Sequence, residues 1–364
     1  MIFCSVVLIG LGVIAFEIIS VDPYMHYHKP KTDKYYYTLD NPRSMNNGII
    51  KHFDYDAMIL GTSMTENYKT TEFDELFGVN SIKVPLAGGT YKELDDQLET
   101  ALLYNPELKI VLRNLDLVHL IEDPAKIRDD LGDAPEYLYD DNIFNDYKYW
   151  FNMVYFSRVL QMKASAKSEG KTGISSFDDY ANWMEGCSFG VNTVYAKLEG
   201  FPPAVGEPQH LSEDEILLVK ENVRQNLIAL PAAYPDITFY YCISPFSAAW
   251  WQEENANGEI CKYIEAQEIA FEEILRCGNI KLFSFSNMIE FTSDLNNYKD
   301  KTHYGDWVNS MLLQWMAEGR GLLTLDNYKE YLAEELEIYR NFDYESMLSQ
   351  VDYEDDRIAA AMTY

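Results

Sequence analysis

Ser, His and Asp are the residue types that together transfer acyl groups, and this sequence holds them in two segments far apart. Gly61-Thr62-Ser63 ends an apolar run at residues 57–60, and polar helix-starting residues follow. That pattern delivers a serine to the lip of a sheet where a helix begins. Backbone N–H groups of the next turn then lie close by. Asp300-Lys301-Thr302-His303 stands near the other end. An Asp three residues before a His can hold one ring nitrogen and leave the other to take a serine proton. Alone, Ser63 reads as a helix cap and Asp300 with His303 as loop polarity. Their placement at the first and last strands of one α/β pattern is what points to chemistry.

Such a serine also needs donors for the developing oxyanion. The Ser63 N–H and the backbone at Gly88 and Gly89 are the candidates, since glycine lets backbone approach a ligand. An ordinary strand-to-helix turn is the bland reading of that glycine pair.

The positioning elements follow from hydrophobic pattern. Strands are expected at 57–60, 81–86, 108–117, 236–243 and 280–285. Helices are expected at 70–77, 90–104 (with a stripe at Leu94, Leu98 and Leu102), 212–230, 259–276 and 304–316. Ser212-Glu213-Asp214-Glu215 is a capping box. Strand, helix, strand with short links is a parallel β/α unit. The rhythm breaks at 121–210, an aromatic, acidic insertion read as a lid or substrate wall over the crevice, with inert bulk as the alternative. Domain bounds are a membrane anchor at 1–20, a linker packed on the domain at 21–50, the α/β domain at 51–322 and an acidic helical appendage at 323–364.

The chain has 364 residues and a net charge of −30. That charge repels a phosphate backbone, so nucleic acid is excluded as a partner. It also weighs against broad contact with an anionic membrane surface. The 28 tyrosines suit amphipathic ligands such as sugars, or simply aromatic packing. Five cysteines without a Cys-x-x-Cys give no zinc ribbon or thioredoxin motif. Free buried thiols are expected, with an oxidised Cys261–Cys277 pair as the alternative. His26-Tyr27-His28 looks like two metal ligands, but no carboxylate or cysteine cluster supports it, so no metal or other cofactor is expected.

Residues 1–19 are nearly all apolar apart from Glu17, about the length that crosses a bilayer. A membrane anchor is the reading; a signal peptide fits poorly, for want of a leading charge and of an Ala-x-Ala site. Lys29, Lys31, Lys34 and Arg43 follow the segment and by charge alone would hold the body inside.

The order Gly61-Thr62-Ser63, Gly88-Gly89, Asp300-Lys301-Thr302-His303 resembles the SGNH (GDSL-like) hydrolase superfamily over roughly residues 54–318. The stretches 22–28, 61–67 and 81–93 look like a group of membrane-anchored, largely uncharacterised SGNH-like proteins of Gram-positive bacteria. The teichoic-acid D-alanylation proteins share that layout and act on envelope polymers outside the membrane. The resemblance implies a three-layer, flavodoxin-like α/β domain of about five parallel strands, held outside the membrane by an N-terminal transmembrane helix. It implies Ser63 as nucleophile, His303 as base, Asp300 as its orienter, and the Ser63 and Gly88 amides as oxyanion donors.

Two departures stand out. Gly61-Thr62-Ser63-Met64 replaces Gly-Asp-Ser-Leu. The family's Gly-x-Asn-Asp block reads Arg113-Asn114-Leu115-Asp116 here, which offsets Asn114 as an oxyanion donor. Arg113 is a candidate for an anionic substrate group, or a structural ion pair. Ser244 and Trp250, after the fourth strand, are candidates for the substrate wall, with Trp250 and Trp251 stacking on sugars or packing in the core. The expected function is a serine esterase or acyltransferase on O-acyl groups of cell-envelope glycans or polymers, with a membrane acyl-donor protein as a further partner. The alternative is a non-catalytic, membrane-tethered glycan-binding or envelope-assembly protein.

Overall fold

Residues 57–60 carry no polar side chain, so a strand there must be covered on both faces. The computed structural model describes residues 2–128, 130, 135–197, 206–352 and 355. Its strands are β1 (Tyr36–Tyr37), β2 (Ala57–Gly61), β3 (Ser81–Pro85), β4 (Ile110–Leu115), β5 (Gly173–Ile174), β6 (Thr238–Ile243), β7 (Ile280–Phe283) and β8 (Leu322–Leu323). The main sheet runs β3-β2-β4-β6-β7-β8, and β1 pairs with β5 apart from it. Five strands of the main sheet are parallel and β8 is antiparallel to β7. Met58, Ile59, Leu60, Val111, Leu112 and Phe239 are fully buried at its centre.

From β2 the chain steps one way to β3, then back past β2 to β4 and onward to β6 and β7. Right-handed crossovers therefore set the Thr70–Phe77 helix on one face. The Tyr91–Tyr104, Glu213–Val223 and Ile260–Leu275 helices fall on the other. Contacts agree: Thr70–Phe77 packs on Asp306–Ala317, and Ile260–Leu275 packs on Glu213–Val223 and Tyr328–Asn341. The direction reverses between β2 and β4, and a crevice opens at the carboxyl ends of strands where that happens. Ser63 stands two residues past β2.

The capping box at Ser212 and Glu215 is present, and Thr90 with Glu93 forms a second one. Residues beyond 322 do more than decorate the surface. Leu322–Leu323 adds the sixth strand, and Tyr328, Leu332 and Tyr339 of the Tyr328–Asn341 helix are buried. Residues 353–354 and 356–364 of the expected appendage, and 129, 131–134 and 198–205 of the expected insertion, lie outside the described residues.

Ile2–Val21 is one helix, long and apolar enough to cross a membrane, and 6% of its apolar window is buried. Its last turn is docked. Ile18 and Val21 are buried, Lys31 Nζ donates to Ser20 O (2.6 Å), and Tyr37 OH donates to Val21 O (2.5 Å). These donors satisfy carbonyls that a helix end leaves open. Asp22 follows with φ +53°, and its carboxylate accepts the backbone N–H groups of His26, Tyr27 and His28 and the Tyr149 hydroxyl. The His26-Tyr27-His28 stretch is thus a turn wrapped around Asp22. The His26 ring meets Asp146 (3.4 Å) and the His28 ring meets backbone carbonyls. The five cysteines are free thiols, Cys261 and Cys277 included.

Candidate active site

Ser63 opens a tight turn, Ser63–Thr65, directly after β2. Thr65 N–H donates to Thr62 O (3.0 Å) and Glu66 N–H to Ser63 O (3.3 Å). Gly61 is required because a Cβ there would stand 2.5 Å from Thr65 Cγ2. Three side chains brace the turn from behind. Thr62 Oγ1 donates to Asp116. Lys83, fully buried on β3, donates to Glu66 O (2.5 Å) and Tyr68 O (2.9 Å). Burial pushes its ammonium down to about 7, against the pull of Asp178, Glu66 and Asp179. Asn309 Nδ2, on the helix after the histidine loop, donates to Met64 O (3.0 Å).

The histidine loop is pinched at its base. Tyr298 and Tyr304 pair in an antiparallel bridge, and Lys299 N–H donates to His303 O (2.9 Å). Both tyrosine rings are buried, and Tyr298 OH donates to Pro245 O (2.8 Å). Ser247 Oγ donates to Lys301 O (2.7 Å), so the segment after β6 clamps the loop.

The two segments converge. Ser63 Oγ lies 2.7 Å from His303 Nε2, and His303 Nδ1 lies 3.0 Å from each Asp300 carboxylate oxygen. Asp300 also accepts the backbone N–H groups of His303 (2.8 Å) and Thr302 (3.0 Å). Burial alone would raise its carboxyl. The bond to the His303 ring, that ring's charge and the two amides outweigh burial and hold it well below the usual carboxylate range. An ionised carboxylate only accepts, so Nδ1 carries the proton and Nε2 is left as an acceptor facing Ser63.

The remaining expected residues divide. The register Gly61↔Pro85 puts the Leu86–Gly89 turn at the same sheet edge as Ser63. Gly88 has φ +65°, while Gly89 N–H is already committed to Leu86 O (2.8 Å) and is no free donor. Among the described residues no hydrogen bond takes the Ser63 or Gly88 N–H. Asn114 is buried, its amide donating to Ser244 Oγ (3.4 Å) and Tyr304 OH (3.3 Å) and accepting from Tyr68 OH (3.2 Å). It does not present a donor to the crevice. Ser244 is likewise fully buried and donates to Asp116 (2.6 Å), tying the ends of β4 and β6 together. Arg113 is fully buried, donating to Asn226 O (2.8 Å) and Tyr91 O (3.0 Å), with Asp95 at 3.6 Å; it is structural. Trp250 is a core residue, ringed by Phe246, Trp251 and Tyr263.

The aromatic beside the serine is Trp183, from the 121–210 stretch. Its Nε1 donates to Ser63 O (3.3 Å) and its ring stands edge-on to His303 at 5.8 Å. Lys299 Nζ sits 3.3 Å from the Trp183 ring centre. Burial raises the Glu66 carboxyl to about 7, the charges of His303, Lys299 and Lys83 offsetting only part. Their sequence signals were slight: Glu66 stands three residues after Ser63, and Lys299 just before Asp300. Trp183 sits in a stretch with no periodicity, and nothing local marks it. Comparison of the chain with protein-family models, with curated proteins and with solved structures finds no match.

Proposed function

We propose that this protein is a serine esterase or acyltransferase that works through an acyl-Ser63 intermediate. The observation that carries the reading is the Ser63 Oγ–His303 Nε2 distance of 2.7 Å with Asp300 3.0 Å behind the ring. Nε2 takes the hydroxyl proton as Oγ bonds to the ester carbon, and the imidazolium is stabilised by Asp300. The oxyanion meets the Ser63 and Gly88 N–H groups. Collapse breaks the bond to the leaving oxygen, which takes the proton from Nε2. Water, or a sugar hydroxyl, then gives its proton to Nε2 and bonds to the acyl carbon; collapse breaks the bond from that carbon to Oγ, which takes the proton from Nε2 and frees Ser63.

The SGNH resemblance extends this proposal to a flavodoxin-like fold type and to O-acyl groups of cell-envelope glycans or polymers, outside the membrane. A membrane acyl-donor protein would be the partner of a transferase. A second reading, a tethered glycan-binding or assembly protein, is favoured by one observation: Asn114 and Gly89 are both spent on internal hydrogen bonds. A fluorophosphonate probe separates the two. Labelling of the full chain that is lost in Ser63→Ala and in His303→Ala supports the enzyme. Absence of labelling in folded protein overturns it.

A further inference from the structure

Seven exposed large apolar side chains fall between residues 143 and 160, a density matched nowhere else among the described residues outside the Ile2–Val21 helix. Phe144 is 88% exposed and Val154 is 69% exposed. They are not a core face left uncovered by accident. The Met153–Glu169 helix already buries Tyr155, Val159 and Met162, and Met153, Val154 and Leu160 face outward from it. Scattered exposed apolar residues are ordinary, but a contiguous set marks an interaction surface.

Its location says what covers it. The Tyr147–Trp150 and Met153–Glu169 helices both pack on the Ile2–Val21 helix. The Ile2–Val21 helix meets the protein core at Ile14 and Ile18, and Glu17 between them pairs with Lys163 of the Met153–Glu169 helix. At 1.5 Å per residue, the stretch from Ile14 to Val21 is about 10 Å long. Anything packed beside it lies at the depth where apolar chain meets the bilayer boundary. Charge agrees. Residues 143–171 hold Lys148, Arg158, Lys163, Lys167 and Lys171 against Asp146 and Glu169, in a chain of net charge −30, with Arg158 paired to Asp40 and Lys163 to Glu17. Lys148, Lys167 and Lys171 are exposed. Tyr147 and Trp150 are the ring types that favour the headgroup level.

We propose that residues 143–160 are a second membrane contact, lying in the interface of the leaflet from which the Ile2–Val21 helix emerges. The exposed lysines meet anionic headgroups. One helix leaves a domain free to swivel; two contacts fix its rotation, and with it the bearing of the Ser63 crevice. The proposal rests on the Ile2–Val21 helix entering the bilayer and not on the chemistry of Ser63.

The test uses the full chain in nanodiscs of mixed phosphatidylcholine and phosphatidylglycerol. The photoreactive residue p-benzoylphenylalanine replaces Phe144, Val154, Phe3 or Leu217 in turn, each an exposed position that disturbs no core. Irradiation should give lipid adducts, read as a mass shift, at 144 and 154 as at 3, and none at 217. Adducts at 3 without adducts at 144 and 154 overturn the second contact and leave the anchor standing. No adduct at any position overturns both.

Discussion

Asn309 Nδ2 donates to Met64 O across 3.0 Å, joining the helix that follows the histidine loop to the turn that carries the serine. The two halves of the candidate site come from opposite ends of the chain, and this bond locks their separation. Asn309→Ala should lower the rate of fluorophosphonate labelling by up to ~100-fold, the scale expected for a misplacement near 1 Å. Circular dichroism should show the fold retained. Unchanged labelling would show that the serine turn is held without it.

Glu66 makes stability depend on pH in a stated direction. Its carboxyl is raised to about 7, mainly by burial. A carboxyl that binds its proton more tightly when folded stabilises the fold below its ordinary value and loses that contribution as pH rises through about 7. Glu66→Gln has no such proton to lose. The Tm of Glu66→Gln relative to the parent should rise between about pH 5 and about pH 8. A difference that stays flat across that interval contradicts the raised carboxyl.

Trp183 forms one side of the space around Ser63 and His303, under Lys299. On the enzyme reading, a bulky acylated glycan touches this ring and a small acetyl ester does not. Ring contacts of this kind contribute about 0.5–1.5 kcal/mol beyond burial. Trp183→Ala should raise KM several-fold for acylated glycan and leave p-nitrophenyl acetate nearly unaffected. Equal losses on both substrates would mean the ring acts by holding the Ser63 turn.

Arg113 stabilises the fold and stays out of the chemistry. Its guanidinium caps the Asn226 carbonyl in a π-helical turn, Arg224–Ile228, five residues ahead of Pro231, which has no N–H to offer. Arg113→Met leaves that carbonyl and Asp95 without their buried partner and should cost about 3–5 kcal/mol in urea unfolding. Probe labelling per folded molecule should be unchanged. A selective loss of labelling at full stability would restore a role for Arg113 at the substrate.

The sequence by itself determined the apolar N-terminal helix, the parallel strands with their connecting helices, and the two segments that carry Ser63, Asp300 and His303. These are local patterns: apolar runs ended by glycine, capping residues, and a short Asp-x-x-His spacing. Tertiary structure alone decided which way a polar side chain on a buried strand faces. Arg113 and Asn114 are neighbours on β4 and point to opposite sides of the sheet, one to Asn226 and Tyr91, the other to Tyr68, Ser244 and Tyr304. A strand that is apolar on both faces has no alternation from which to read that choice. Trp250 took the core reading over the sugar-stacking one, and Trp183, which no local pattern marks, took the place beside the serine, for a related reason. A tryptophan's surroundings are set by segments far away in the chain, and for Trp183 those are the turn after β2 and the loop at 299–303.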